Sequence, residues 1–379
     1  MSRVVLIDVL RGFSLFGLLL VHLPILGIGE FVFLDKLDLT SSLPDQVAYL
    51  IYYNLSDGRF FPIFAFLFGY GFALQLKGKV GENPNIFLRR LLGLAILGLL
   101  HNVLFFNGDI LFSYACIGFV LFFLRKTTDK KLVILFVLGL LISSVTYYLI
   151  GDYNPTASEI ENQWNAMRRT NQVSFWESVY FRLLSAPEIF GFILLFNWPS
   201  SFAMLCLGFL LGRKGTLTLE KPFEKIPSWF FLIAVLLGLG GGLLASLHNL
   251  TNIPRPIAMA VFGFTAPLLS FIYIFLLQKG LSRYPNFLGF RLLSEVGKIS
   301  LTIYLLESVL MAVFFQKWGF GQFEKYSLFQ TMLLAIPFYL ILVSFSKIWL
   351  HFFEIGPMEG ILRAFAYQQK PTWKKEKKS

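Results

Sequence analysis

Apolar stretches of about twenty residues recur along the whole chain and leave it few ways to fold. About 20 apolar residues cross a bilayer as a helix. Ten candidates follow one another, at 4–28, 59–77, 87–106, 110–125, 132–150, 189–211, 229–247, 257–277, 299–316 and 328–349. Only 15% of the 379 residues are charged, where a soluble domain carries about 25%. The fold class is therefore all-α: a polytopic membrane helix bundle of about ten transmembrane helices, with the lipid bilayer as its main partner. It divides into an N-terminal five-helix half over 1–150, an extracytoplasmic loop over 151–188, a C-terminal five-helix half over 189–369 and a basic tail over 370–379. The loop is long enough for one or two interfacial helices. Trp198-Pro199 predicts a kink in the sixth stretch. Gly238, Gly240, Gly241 and Gly242 suit the seventh to close helix contact or to a local break.

Orientation follows from the bias of Lys and Arg towards the cytoplasm. With the N-terminus inside, the inner loops hold Lys77, Lys79, Arg89 and Arg90, then Arg125, Lys126, Lys130 and Lys131. Further on they hold Arg213, Lys214, Lys221 and Lys225, then Lys279, Arg283, Arg291 and Lys298, and the tail adds five more lysines. The opposite loops carry fewer cations each. Both termini are thus expected in the cytoplasm, with the protein in the plasma membrane. This distribution accounts for the net charge of +11 without a nucleic-acid partner. Cys116 and Cys206 fall inside apolar stretches and read as small buried side chains. Asp8 and Arg11 interrupt what would be the apolar core of a cleavable signal, so the first stretch is expected to be retained.

Ionisable groups inside a membrane are costly and normally face the bundle interior or an aqueous cavity. Asp8, Arg11 and His22 share one stripe of the first stretch, because eleven steps of about 100° return to the same face some ~16 Å further on. Arg11 falls towards the inner membrane face and His22 towards the outer. His101, Asn102 and Asp109 lie at the outer end of the third stretch and the turn after it, and Glu307 lies midway along the ninth, beside Tyr304 and Ser308. These placements predict a cavity opening outward, floored by His22, His101, Asp109 and Glu307, with a cationic site reached from the other side. The bland readings stay open: a structural Asp8–Arg11 pair, a helix-end His101 bonded to a carbonyl, and an Asp109 that caps the next helix. No zinc spacing, GxSxG or Walker loop is present, so no metal is expected.

Asp8-Val-Leu-Arg11-Gly-Phe resembles the opening of the membrane acyltransferase superfamily, which includes the acyltransferase-3 proteins and the heparan-α-glucosaminide N-acetyltransferases. The acyltransferase-3 branch is marked by an Arg and a His with ten residues between them in the first span, and Arg11 and His22 match that spacing. The rest of the chain resembles the bacterial YeiB-like family, whose C-terminal half is a domain of unknown function. That resemblance rests on Asp57-Gly-Arg through Gly69-Tyr-Gly71, Arg89-Arg90 through His101, Gly108-Asp109 through Tyr114, Gly297 through Ser308, and Gly356-Pro-Met-Glu359-Gly-Ile-Leu-Arg363. YeiB-like members usually carry Asn where this chain has His22.

The resemblance implies transfer of an acyl group from cytosolic acyl-CoA, as co-substrate and not as bound cofactor, to an acceptor outside the cytoplasm. Arg11, Arg89 and Arg90 would hold the phosphates. His22 would act as general base, oriented by Glu307 or Asp109, with His101 beside them. Two other readings stay open. One is a small-solute transporter, which intramembrane polar groups, a proline kink and a glycine-rich span also suit; the other is a non-catalytic structural or signalling membrane protein.

Overall fold

The computed structural model describes residues 5–29, 38–215, 228–371 and 373. Lys36, Lys221, Lys225 and the tail lysines 374–378 lie outside the described residues. Among those described, helices dominate and no β-strand forms. In chain order the helices are α1 (Val5–Ile28), α2 (Leu43–Ile51), α3 (Phe60–Leu76), α4 (Lys79–Glu82), α5 (Asn85–Leu104) and α6 (Leu111–Phe123). Next come α7 (Asp129–Asp152), α8 (Ala157–Asn171), α9 (Phe175–Phe196), α10 (Trp198–Lys214) and α11 (Ser228–Ser246). The last six are α12 (Arg255–Arg283), α13 (Leu288–Lys298), α14 (Ser300–Phe315), α15 (Leu328–Leu333), α16 (Ala335–Phe352) and α17 (Pro357–Tyr367). A π-helical turn, Tyr52–Ser56, links α2 to α3.

Among the described residues, eight segments are long and apolar enough to cross a membrane, and nine if α13 and α14, bent by 88° against each other, count as one. Helix α6 has 13 residues and α10 has 17. At 1.5 Å per residue both fall short of a hydrocarbon core about 30 Å thick. That is why the fourth and sixth stretches read from sequence are missing from the eight, as is the ninth, whose α14 has 16 residues and counts only together with α13, while α9 takes a place among them. The sixth differs in kind as well. Residues 189–211 straddle a break at Asn197, where α9 ends and α10 begins with Pro199 in its first turn. Proline thus starts a helix there instead of kinking one, since a first-turn N–H needs no intrahelical partner. The 151–188 loop is largely helical. Thr156 and Glu159 form a reciprocal cap that starts α8, and Ser174 and Glu177 do the same for α9.

Close backbone contacts fix the helix pairs that position the site. Helix α1 lies against α13, where a Cβ on Gly12 would sit 2.0 Å from the Leu293 carbonyl oxygen and one on Gly297 1.8 Å from that of Asp8. Helix α3 lies against α10 in the same manner, through Gly69 and Gly208. Lys77 at the end of α3 donates to the carbonyls of Gly212 and Arg213 at 3.4 and 3.3 Å. Arg213 in turn donates to Thr127 and Arg125 carbonyls at 2.6 and 2.5 Å. The basic ends of α3, α6 and α10 therefore gather at one end of the bundle.

Candidate functional site

His22 comes from the last third of α1, His101 from the last turn of α5, Asp109 from the turn before α6, and Tyr304 and Glu307 from successive turns of α14. Packing brings all five into one buried cluster. His22 and His101 are 5% and 3% exposed, and Asp109 and Glu307 are fully buried. They sort into two pairs. His22 Nδ1 lies 3.3 Å from Glu307 Oε1, and His101 Nδ1 lies 2.7 Å from Asp109 Oδ2. A buried carboxylate needs such a partner, because an isolated ionised carboxylate in apolar surroundings is prohibitive. Glu307, not Asp109, therefore faces His22. Asp109 also accepts from the Phe112 amide at 2.9 Å, so it caps α6 while it holds His101.

Aromatic rings tie the two pairs together. The Phe106 ring lies 4.7 Å from the His22 ring and 6.5 Å from that of His101. The Tyr304 ring lies 5.1 Å from His101 and 6.5 Å from His22. The Tyr304 hydroxyl donates to Asp109 Oδ2 at 3.4 Å and accepts from the Ile110 amide at 3.2 Å. His101 Nε2, Glu307 Oε2 and Ser308 Oγ are buried without a hydrogen-bond partner. Such orphaned groups are rare in folded proteins, and two of these belong to residues of the cluster itself.

A cavity of about 430 Å³ approaches the cluster from the Arg11 end, and Tyr304 and Ile110 belong to its lining. Arg11, Arg90, Lys298 and Arg363 line it too, and the stretch between is apolar, with Phe64, Leu67 and Leu94. Arg11 Nη1 lies 3.4 Å from Asp8 Oδ1, and its side chain keeps 30% of its surface exposed. Arg90 Nε is buried without a hydrogen-bond partner. Arg89 does not line this cavity; its Nε donates to the Ala366 carbonyl at 2.8 Å and ties α17 to α5.

Glu359 of α17 is the acidic side chain in the lining. Its oxygens accept from the Leu301 and Thr302 amides at 2.7 and 3.3 Å and from the Thr302 hydroxyl at 2.6 Å, which caps the start of α14. Burial pushes its carboxyl above the usual range, against the pull of those hydrogen bonds.

Two arginines matter more to the architecture than their sequence positions suggest. Arg182 of α9 is 1% exposed. It donates to the Val103 and Leu104 carbonyls at 2.8 and 2.7 Å and to Gln316 at 3.2 Å, so it closes the end of α5 that carries His101. Arg59 is fully buried, donates to the Asp57 carbonyl and sits 4.6 Å from the centre of the Phe262 ring. The carbonyl partners of Arg182 lie almost eighty residues away in the chain, so its only signal in the sequence is a cation bordering an apolar stretch. Among the described residues, no three His, Cys, Asp or Glu side chains gather as a metal site.

Fold and site together define a class: an all-helical protein with eight or more helices able to span a membrane, and two buried histidine–carboxylate pairs beside a cation-lined cavity. Residues 211–369 match the family described as "Protein of unknown function (DUF418)". The chain is 26% identical to "Uncharacterized protein YeiB" of Escherichia coli (strain K12), covering 96% of both chains. It is also 26% identical to "Uncharacterized protein YxaH" of Bacillus subtilis (strain 168), covering 99% of this chain and 97% of the relative. An "Uncharacterized 39.9 kDa protein in amylase 3'region" of Bacillus acidopullulyticus is 29% identical, covering 97% and 95%. No solved structure matches. The chain is thus similar to YeiB and YxaH over nearly its full length, and its C-terminal part is similar to the DUF418 family.

Proposed function

We propose that this protein is a plasma-membrane acyltransferase, with both termini in the cytoplasm, that moves an acyl group from cytosolic acyl-CoA to a hydroxyl or amine outside the cytoplasm. The observation that carries the reading is Tyr304, which lines the cation-lined cavity and also belongs to the cluster of two histidine–carboxylate pairs. The phosphates of the donor suit the rim of Arg11, Arg90, Lys298 and Arg363. Its narrow thioester arm suits the apolar stretch that leads to Tyr304. His22 takes the proton of the acceptor as the acceptor's oxygen or nitrogen attacks the thioester carbon, and the carbon–sulfur bond then breaks. Glu307 on Nδ1 fixes the ring and stabilises the imidazolium that forms.

The test uses full-length protein purified in detergent, incubated with [¹⁴C]acetyl-CoA and with water or glycerol as acceptor. Wild type is expected to bind the donor and release CoA. His22→Ala is expected to keep binding and lose about 100-fold or more of the turnover, the usual worth of a general base. Wild-type protein that neither binds nor consumes the thioester overturns the reading.

A further inference from the structure

The reaction above uses one histidine–carboxylate pair, and the cluster holds two. The second pair, His101–Asp109, is the better formed, at 2.7 Å against 3.3 Å for His22–Glu307. It is also the pair joined to the cavity, because Asp109 Oδ2 contacts both His101 Nδ1 and the Tyr304 hydroxyl. Tyr304 is the one member of this chain of contacts that lines the cavity. His101 Nε2, at its far end, is buried without a hydrogen-bond partner, so the hydrogen bond that holds this imidazole is the one from Nδ1 to Asp109.

We infer that Tyr304 is the proton donor to the leaving group, recharged through Asp109 by His101. The inference rests on the acyltransferase reading. A thiolate expelled into an apolar cavity has little water to stabilise it, and an O–H group at the inner end of that cavity removes the charge. As the carbon–sulfur bond breaks, the sulfur keeps the electron pair and takes the Tyr304 hydroxyl proton. Asp109 Oδ2 passes a proton to the phenolate oxygen, and the His101 imidazolium passes its Nδ1 proton to the same carboxylate oxygen. His101 ends neutral, one proton poorer, and His22 ends one proton richer by the proton of the acceptor. The proton count of the cluster is unchanged over a turnover. The cluster is reset when His22 releases that proton and His101 regains one. The amide of Ile110 on the Tyr304 oxygen, at 3.2 Å, stabilises the transient phenolate.

A donor whose leaving group needs no proton separates this role from a structural one. Wild type, Tyr304→Phe, His101→Gln and His22→Ala are assayed with acetyl-CoA and with p-nitrophenyl acetate. With acetyl-CoA, Tyr304→Phe and His101→Gln are expected to lose about 100-fold in kcat, with KM little changed. With p-nitrophenyl acetate both are expected within about threefold of wild type, while His22→Ala stays slow on both donors. Equal losses on the two donors, or no loss on acetyl-CoA, overturn the relay and leave the acyltransferase reading standing. Absence of wild-type turnover on either donor overturns the acyltransferase reading, and the relay with it.

Discussion

Gly12 and Gly297 show how much of the site depends on the absence of a methyl group. Each places its Cα against a carbonyl of the facing helix, so that a Cβ would lie 2.0 Å from Leu293 O or 1.8 Å from Asp8 O. Both neighbours are backbone atoms and cannot rotate away. Overpacking of this kind forces the helices apart at a cost of about 1–3 kcal/mol. Asp8 and Arg11 stand on one side of the contact and Lys298 directly follows Gly297 on the other, so the separation spreads the cavity rim. Gly297→Ala is therefore expected to lower the thermal midpoint in detergent by several degrees and to weaken binding of acyl-CoA more than Gly71→Ala. A Cβ on Gly71, in the lining of the same cavity, would meet nothing closer than Gln75 Nε2 at 4.0 Å. An unchanged midpoint and equal binding by the two variants would count against the packing argument. The histidines followed a different logic. Their places at one end of two separate spans were legible in the sequence, because an ionisable group in a membrane seeks the bundle interior. Which carboxylate each would take was not, since that depends on how α14 is rotated against α1 and α5.

Helix α14 carries Tyr304 and Glu307, and its start is built by a residue almost sixty positions away. The chain turns by 88° between α13 and α14, which leaves the first amides of α14 without intrahelical partners. Glu359 supplies them through Leu301 and Thr302. Loss of a side-chain cap costs about 0.5–2 kcal/mol, and Glu359→Ala is expected to fall in that range by chemical or thermal unfolding. The pH dependence has a definite sign. A carboxyl held above its usual range by burial favours the fold while it is protonated. Its contribution is complete below about pH 4 and is lost as pH rises through the raised value in the folded protein. Glu359→Gln keeps an oxygen for the amides and removes the titration. Thermal midpoints of wild type measured upward from pH 4 are expected to fall relative to those of Glu359→Gln, and parallel curves would refute the assignment. The bend escaped the sequence reading because Arg291 and Lys298 made α13 look like a basic loop, so the ninth stretch was read as starting only at 299. Helix α9 escaped it for the opposite reason: Trp176, Glu177 and Arg182 made its first turns look like loop, although Ser174 with Glu177 spells a helix start.

At the scale of the whole molecule, the two ends of the bundle differ in chemistry. One end gathers Lys77, Arg125 and Arg213, and the cavity lined by Arg11, Arg90 and Lys298 also includes Gln75, two residues from Lys77. The other holds the His22–Glu307 and His101–Asp109 pairs under α8, where Trp164 and Met167 come within 3.2 Å of a Cβ placed on Gly29. This asymmetry was legible from loop charge alone, since cations near span ends stay on the cytoplasmic side. Which side chains would close around the histidines was not, because they come from α1, α5 and α14, which are distant in sequence. The acyltransferase reading requires the cationic end to face the cytoplasm, where a phosphorylated donor is available. That requirement is open to a direct measurement. Asn154 precedes α8 and Lys130 lies in the first turn of α7, and both are exposed. In a background of Cys116→Ser and Cys206→Ala, a membrane-impermeant maleimide applied to intact cells is expected to label Asn154→Cys and to leave Lys130→Cys unlabelled until the membrane is opened. The reverse pattern would put the cation-lined rim on the side where no acyl-CoA exists, and would remove the acyltransferase mechanism whatever the geometry of its histidines.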